Sequence, residues 1–119
     1  MPHRPFSTDR LPEVLRHTIV DLVRGDGPDL SARQFAVFLV CYLEKGPHTV
    51  RGLAADLNVS RPVITRALDR LGTLGLAKRA QDPRDHRSVV VGRTRIGLGL
   101  HADLPRILTA AAAPMVVAD

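Results

Sequence analysis

Aromatic residues are scarce in this 119-residue chain, which has no Trp, one Tyr and three Phe, so its core has to be assembled from Leu, Val, Ile and Ala. The same shortage argues against the aromatic platforms on which single-stranded nucleic acid stacks. One cysteine, Cys41, excludes an internal disulfide and any multi-thiolate metal site. It lies within FAVFLVCYL, the most apolar part of the chain, where a thiol is expected to be an inert packing residue rather than an oxidant sensor. His3, His17, His48, His86 and His101 are far apart, with no pair at ligand spacing, so no metal is expected. The glycines form no phosphate-cradling loop, and no cofactor is expected either. No apolar run approaches the ~18 residues of a spanning helix, and MPHRPFSTDR has no apolar leader core. The expectation is a soluble, cytoplasmic protein with no membrane partner, and a length that fits one domain over residues 1–119.

Positive charge is present, and unevenly. Between Gly46 and Arg95 stand ten Lys/Arg against four Asp, a balance of +6, whereas the remainder carries seven bases and eight acids. All of the chain's excess of +5 therefore lies in one segment, the footprint of a polyanion-binding face.

The hydrophobic periodicity of that segment and its flanks predicts helices. Residues 1–8, with two prolines, read as a loose arm. Thr8 or Asp9 then caps a helix over about 9–24, with Leu11, Val14, Leu15, Ile19, Leu22 and Val23 on one stripe. Ser31 caps a second helix, ARQFAVFLVCYLEK, which is apolar nearly all round through Phe35, Phe38, Leu39, Tyr42 and Leu43 and should be central; Gly46-Pro47 stops it. Thr49 opens a short helix with Leu53, Ala54 and Leu57 inward. Asn58 suits a left-handed turn, and Ser60 caps RPVITRALDRL, with Pro62 harmless in the first turn. Two short helices joined so tightly form a helix-turn-helix.

At 100° per residue the last of these helices puts Ile64, Ala67, Leu68 and Leu71 on one side and Pro62, Thr65, Arg66, Asp69, Arg70 and Thr73 on the other. An aliphatic inner face under an outer face of Thr and Arg suits insertion into a major groove, where Arg meets guanine edges or phosphates and Thr meets thymine methyls. Downstream of Gly75, LAKRAQDPRDHRSVVVGRT reads as two strands, Leu76 to Gln81 and Ser88 to Gly92, around a polar tip opened by Asp82-Pro83. The valines anchor this hairpin on the core, and the charged tip projects as a wing. His86 beside Asp85 is the one acid–base juxtaposition in it. Neighbours on a hairpin face opposite ways, however, and no nucleophile accompanies them, so no catalytic site and no enzyme is expected.

The fold class that results is mainly α with a small β-hairpin, a winged helix-turn-helix. The order of its parts, with DPRDHRSVVV in the wing, resembles the MarR family of bacterial transcriptional regulators. The resemblance covers about Leu30 to Gly97. Its specific part is Asp-x-Arg followed by an apolar strand and Leu-Thr-x-x-Gly, met here by Asp85, Arg87, Val89 to Val91, Thr94 and Gly97, with Arg93 in place of the Leu. It implies that Arg87 enters a minor groove, oriented by Asp85, while the helix from Arg61 reads the major groove of double-stranded DNA. The expected DNA contacts are Ser60, Arg61, Pro62, Thr65, Arg66, Arg70, Arg84, Asp85 and Arg87. In this arrangement 31–97 is the DNA-binding core with its wing at 76–93. A C-terminal helical segment, 95–113, joins the N-terminal helix in a homodimer. Ile96, Leu100, Leu104, Ile107 and Leu108 keep helical spacing there, although Gly97, Gly99 and Pro105 weaken it. A small-molecule effector is allowed but not indicated. The alternatives are a winged-helix module that binds proteins and a nonspecific architectural DNA binder.

Overall fold

The computed structural model describes residues 8–113, so the proposed arm lies outside the described residues apart from Thr8. Contacts divide the chain into two units, one of Leu30–Gly99 and one of Met1–Asp29 with Leu100–Asp119.

The unit Leu30–Gly99 holds α2 (Ala32–Leu43), β1 (His48–Thr49), α3 (Val50–Leu57), α4 (Arg61–Thr73), β2 (Ala77–Asp82), β3 (Asp85–Arg93) and the first turn of α5 (Arg95–Ala112). Ser31 starts α2 through a complete capping box. Its Oγ accepts from the Gln34 N–H at 3.2 Å, and its own N–H donates to Gln34 Oε1 at 2.9 Å. The helix ends at Leu43, where the Arg93 Nε–H donates to the Cys41 carbonyl at 2.9 Å and His48 Nε2 meets that of Glu44 at 2.9 Å. Val37, Phe38, Cys41 and Tyr42 are buried, but Leu43 is exposed, so the helix has an outer face after all. Phe38 stacks on Tyr42 with ring centroids 4.4 Å apart.

Thr49 caps α3 by accepting from the Gly52 N–H at 3.0 Å, and Asn58, at φ 54° and ψ 47°, makes the left-handed turn into α4. Ile64, Ala67, Leu68 and Leu71 are buried, as the 100° spacing predicts. Ser60 stands at the N-cap of α4 without a side-chain capping bond. The helix ends in a Schellman motif: Gly75 takes φ 74°, the Leu76 N–H reaches Leu71 O at 2.8 Å, and the Gly75 N–H reaches Gly72 O at 3.0 Å. Leu57 is only half-buried. Leu68→Ala, with its side chain fully buried, should therefore cost about 2–5 kcal/mol and Leu57→Ala clearly less. Urea denaturation of both variants checks this, and equal losses would refute the burial argument.

The sheet has three strands rather than the two of a bare hairpin, in the order β1-β3-β2 and antiparallel throughout. His48 and Thr49 pair with Val91 and Val90, which ties the wing to the start of α3. Pairing with a strand some forty residues away cannot be read from the two residues of β1 themselves.

In the terminal unit, α1 runs over Leu11–Arg24 after a 3-10 turn at Thr8–Arg10, so its N-cap is Arg10, without a side-chain capping bond, in place of the expected Thr8 or Asp9. Thr18 is buried and donates to Val14 O at 2.8 Å, while Leu11, Leu15, Ile19 and Val23 of the expected stripe stay exposed. α5 continues unbroken through Gly97, Gly99 and Pro105, with Leu104 and Ala111 buried and Leu108 exposed.

Candidate nucleic-acid interface

The first two turns of α4 and the wing enclose a groove of about 770 Å³. Arg61, Pro62, Thr65 and Arg66 line it from α4, Arg51 from the first turn of α3, Arg79 from β2, and Asp85, Arg87, Ser88 and Val89 from β3. Five guanidinium groups against one carboxylate give it a strongly positive potential, focused by its concave walls.

A bulge in β3 places Arg87. Asp82 pairs with Asp85, but Gln81 pairs with Val89, so His86, Arg87 and Ser88 are extra residues on the longer strand. Three hydrogen bonds fix this detour. Asp82 Oδ1 accepts from the Arg84 N–H at 2.9 Å and closes the Pro83-Arg84 turn, Asp85 Oδ1 accepts from the Arg87 N–H at 3.0 Å, and Gln81 Nε2 donates to His86 O at 2.7 Å. Asp85 thus acts on Arg87 through the backbone, shaping the bulge. Among the described residues the guanidinium groups of Arg51, Arg61, Arg66 and Arg87 form no ion pair, so they are left for an outside anion. Asp69, the acid on the outer face of α4, is held by Arg79 at 2.5 Å, which bridges the helix and the wing.

Of the nine expected contacts, the groove gathers Arg61, Pro62, Thr65, Arg66, Asp85 and Arg87. Ser60 stays at the α4 N-cap, Arg70 lies one turn beyond Arg66 on the exposed face, and Arg84 sits at the wing tip, all outside its lining. Arg51 and Arg79 were missed. Arg51 belongs to a helix read for its inner face only, and no local pattern shows that β2 faces α4. Arg93 is not a groove residue. It binds carbonyls at the negative end of α2 and lies 5.6 Å from the centroid of the Tyr42 ring, a favourable place for a cation.

Tyr42, Thr94 and Gly97 form the joint at the base of the wing. The Tyr42 hydroxyl donates to Leu76 O at 2.7 Å and accepts from the Thr94 N–H at 3.0 Å. Thr94 Oγ1 accepts from the Gly97 N–H at 2.9 Å, opening α5, and donates to Gly75 O. Cys41 beside this joint is buried, and desolvation pushes its thiol up to about 11 despite the opposing charge of Arg93, so it stays protonated as expected of a packing residue. Among the described residues no group of His, Cys, Asp and Glu could hold a metal ion, and no helix is long and apolar enough to cross a membrane.

The fold recurs in solved structures. The transcriptional regulator Tm0710 from Thermotoga maritima superposes with a TM-score of 0.70 at 24% identity, over 89% of this chain and 75% of that one. A mutant of S. aureus MepR bound to an oligodeoxyribonucleotide gives a TM-score of 0.75 at 20% identity, over 92% and 81%. MarR itself gives 0.62 at 28% identity, over 89% and 80%. No curated protein gives a match. The family model for MarR matches residues 30–89, half of the chain, spanning α2, the helix-turn-helix and most of the wing. With the winged helix, the bulged Asp-x-Arg wing and the Thr94–Gly97 joint all in place, this chain belongs to the MarR family.

Proposed function

We propose that this chain is a sequence-specific, double-stranded DNA-binding transcriptional regulator, working as a homodimer in the cytoplasm and not as an enzyme. The groove between α4 and the wing carries the reading. It joins the outer helix face of the half-buried Thr65 and exposed Arg66 to the bulge-mounted Arg87, so one element suits a major groove and the other an adjacent minor groove. Ser60, Arg70 and Arg84 extend the footprint as phosphate contacts at its edges. The whole chain acts as one functional domain, with 31–97 for DNA and the helices near 9–24 and 95–113 for pairing. Support for pairing comes from the apolar residues that α1 leaves exposed, Leu11, Leu15, Ile19 and Val23. A symmetric dimer calls for a roughly palindromic site with half-sites about 10 base pairs apart.

Selection of bound fragments from genomic DNA near physiological salt should enrich such a palindrome. Retention of all sequences alike would favour a nonspecific architectural binder. Salt-insensitive capture of a protein, with no enrichment of DNA, would favour a protein-binding module.

A further inference from the structure

Building on the DNA-binding reading above, we infer that Arg33, in the notch between the first turn of α2 and the recognition helix α4, seats a phosphate of the second DNA strand, beside an Arg66 that stays turned to the bases. That strand borders the major groove on the side away from the wing. A major groove about 12 Å wide is bounded by two sugar–phosphate backbones, so a helix inserted in it meets phosphates on both flanks. On the wing side, Arg51, Arg61 and Arg87 line the groove without an ion pair among the described residues and would meet one backbone. On the opposite side the structure offers a concavity of about 160 Å³, lined by Ser31, Arg33 and Gln34 of the α2 start and by Val63, Arg66 and Ala67 of α4. Arg66 borders both depressions, so α4 is a ridge between two cationic furrows.

Three features make Arg33 more than a solvated surface charge. No acid lines the notch, and among the described residues Arg33 forms no ion pair. A cation in the first turn of a helix is electrostatically disfavoured, and α2 has no acid in that turn to compensate it. Arg33 also borders an apolar depression with Leu57, Val59 and Val63, a surface on which its aliphatic stem can lie while the guanidinium stays in water. Ser31 and Gln34 are bonded to each other, so the turn that carries Arg33 is already fixed.

The test uses the full chain and a duplex of about 30 base pairs, long enough for two half-sites and flanks, selected by the chain itself, beside a scrambled duplex. Arg33→Ala should weaken binding to both duplexes by the same factor, as a phosphate contact does and a base contact does not. The log–log salt slope should fall by about 0.9 per subunit, or about 1.8 for a dimer, so that the advantage of the parent over the variant shrinks roughly 12-fold between about 50 and 200 mM salt. Arg33→Lys should restore most of the slope. Neutralising single phosphates as methylphosphonates should locate the contact. The parent should lose affinity at a phosphate where Arg33→Ala does not respond, on the strand opposite the one where Arg87→Ala is unresponsive. An unchanged slope in Arg33→Ala, or an Arg33-dependent phosphate on the wing-side strand, overturns the inference while leaving the DNA reading intact. A parent chain that binds neither duplex overturns both. If Arg33→Ala fails to fold, the methylphosphonate scan of the parent with Arg33→Lys still decides, because a far-flank phosphate is either required or not.

Discussion

Replacing Gly97 by alanine should destabilise the protein by about 2–8 kcal/mol, although alanine is the better helix former by about 1 kcal/mol. A Cβ built on Gly97 would lie 1.7 Å from the Tyr42 hydroxyl oxygen, 2.5 Å from its ring carbon Cζ and 2.7 Å from the Leu76 carbonyl oxygen. Tyr42 has no room to yield. Its ring is stacked on Phe38, and its hydroxyl ties Leu76 to Thr94, joining α2, the entry to β2 and the start of α5. Pushing it aside adds overpacking strain of about 1–3 kcal/mol to the loss of partners by the buried Leu76 carbonyl and the half-buried Thr94 amide, at about 1–3 kcal/mol each. Because native stabilities run at about 5–15 kcal/mol, this loss takes a large share of the total and should move the urea midpoint far down. Tyr42→Phe alone should cost only the orphaned groups, and Tyr42→Phe with Gly97→Ala should cost less than the sum, since the closest overlap is then gone. Urea unfolding of the three variants forms a coupling cycle, and strict additivity would rule out this account.

The second large effect separates the two modes of DNA contact. If Arg66 reads bases as proposed, Arg66→Ala should cost about 1–3 kcal/mol per half-site on the selected sequence and much less on scrambled DNA, because only the selected sequence offers the base edge it would lose. Arg87→Ala should weaken both kinds of duplex. Its guanidinium, mounted on the bulge, would contact a minor groove whose potential depends on width more than on base identity, so preference for A·T-rich flanks should fall and the salt slope should flatten by about one unit per subunit. Asp85→Ala should give a weaker version of the same change, because it frees the Arg87 N–H and loosens the bulge without removing the charge. Isotherms over a salt series on matched and scrambled duplexes test all three, and an Arg87→Ala variant with parental affinity and slope would remove the wing from the interface.

The charge excess between Gly46 and Arg95, the inner face of Ile64, Ala67, Leu68 and Leu71, the left-handed turn at Asn58 and the position of the hairpin were all legible in the chain. Each is a local property. A helix repeats every 3.6 residues and a strand every 2, so a dozen neighbouring residues already declare which side faces the core, and a turn is specified by the few residues that form it.

What no local pattern carries is which distant group a side chain meets. Arg93, one of the ten bases of the positive segment, caps a helix end whose Cys41 carbonyl lies 52 residues earlier in the chain. The two residues of β1 are too few to show a period, and they become a strand only because β3 offers an open edge. Gly97 reads as a weak point of a helix until Tyr42 is seen to occupy the space of its missing side chain. Arg51 and Arg79 join the groove, and Arg33 and Arg66 come to line one notch, through the crossing of α2, α3, α4 and the wing. The sequence alone settled the helices, the hairpin, the inner face of α4 and the sign of the binding surface, because short-range sterics and periodicity fix those. The tertiary structure decided which charges remain available to DNA and which hold the fold together, because that depends on contacts between residues that only packing makes neighbours.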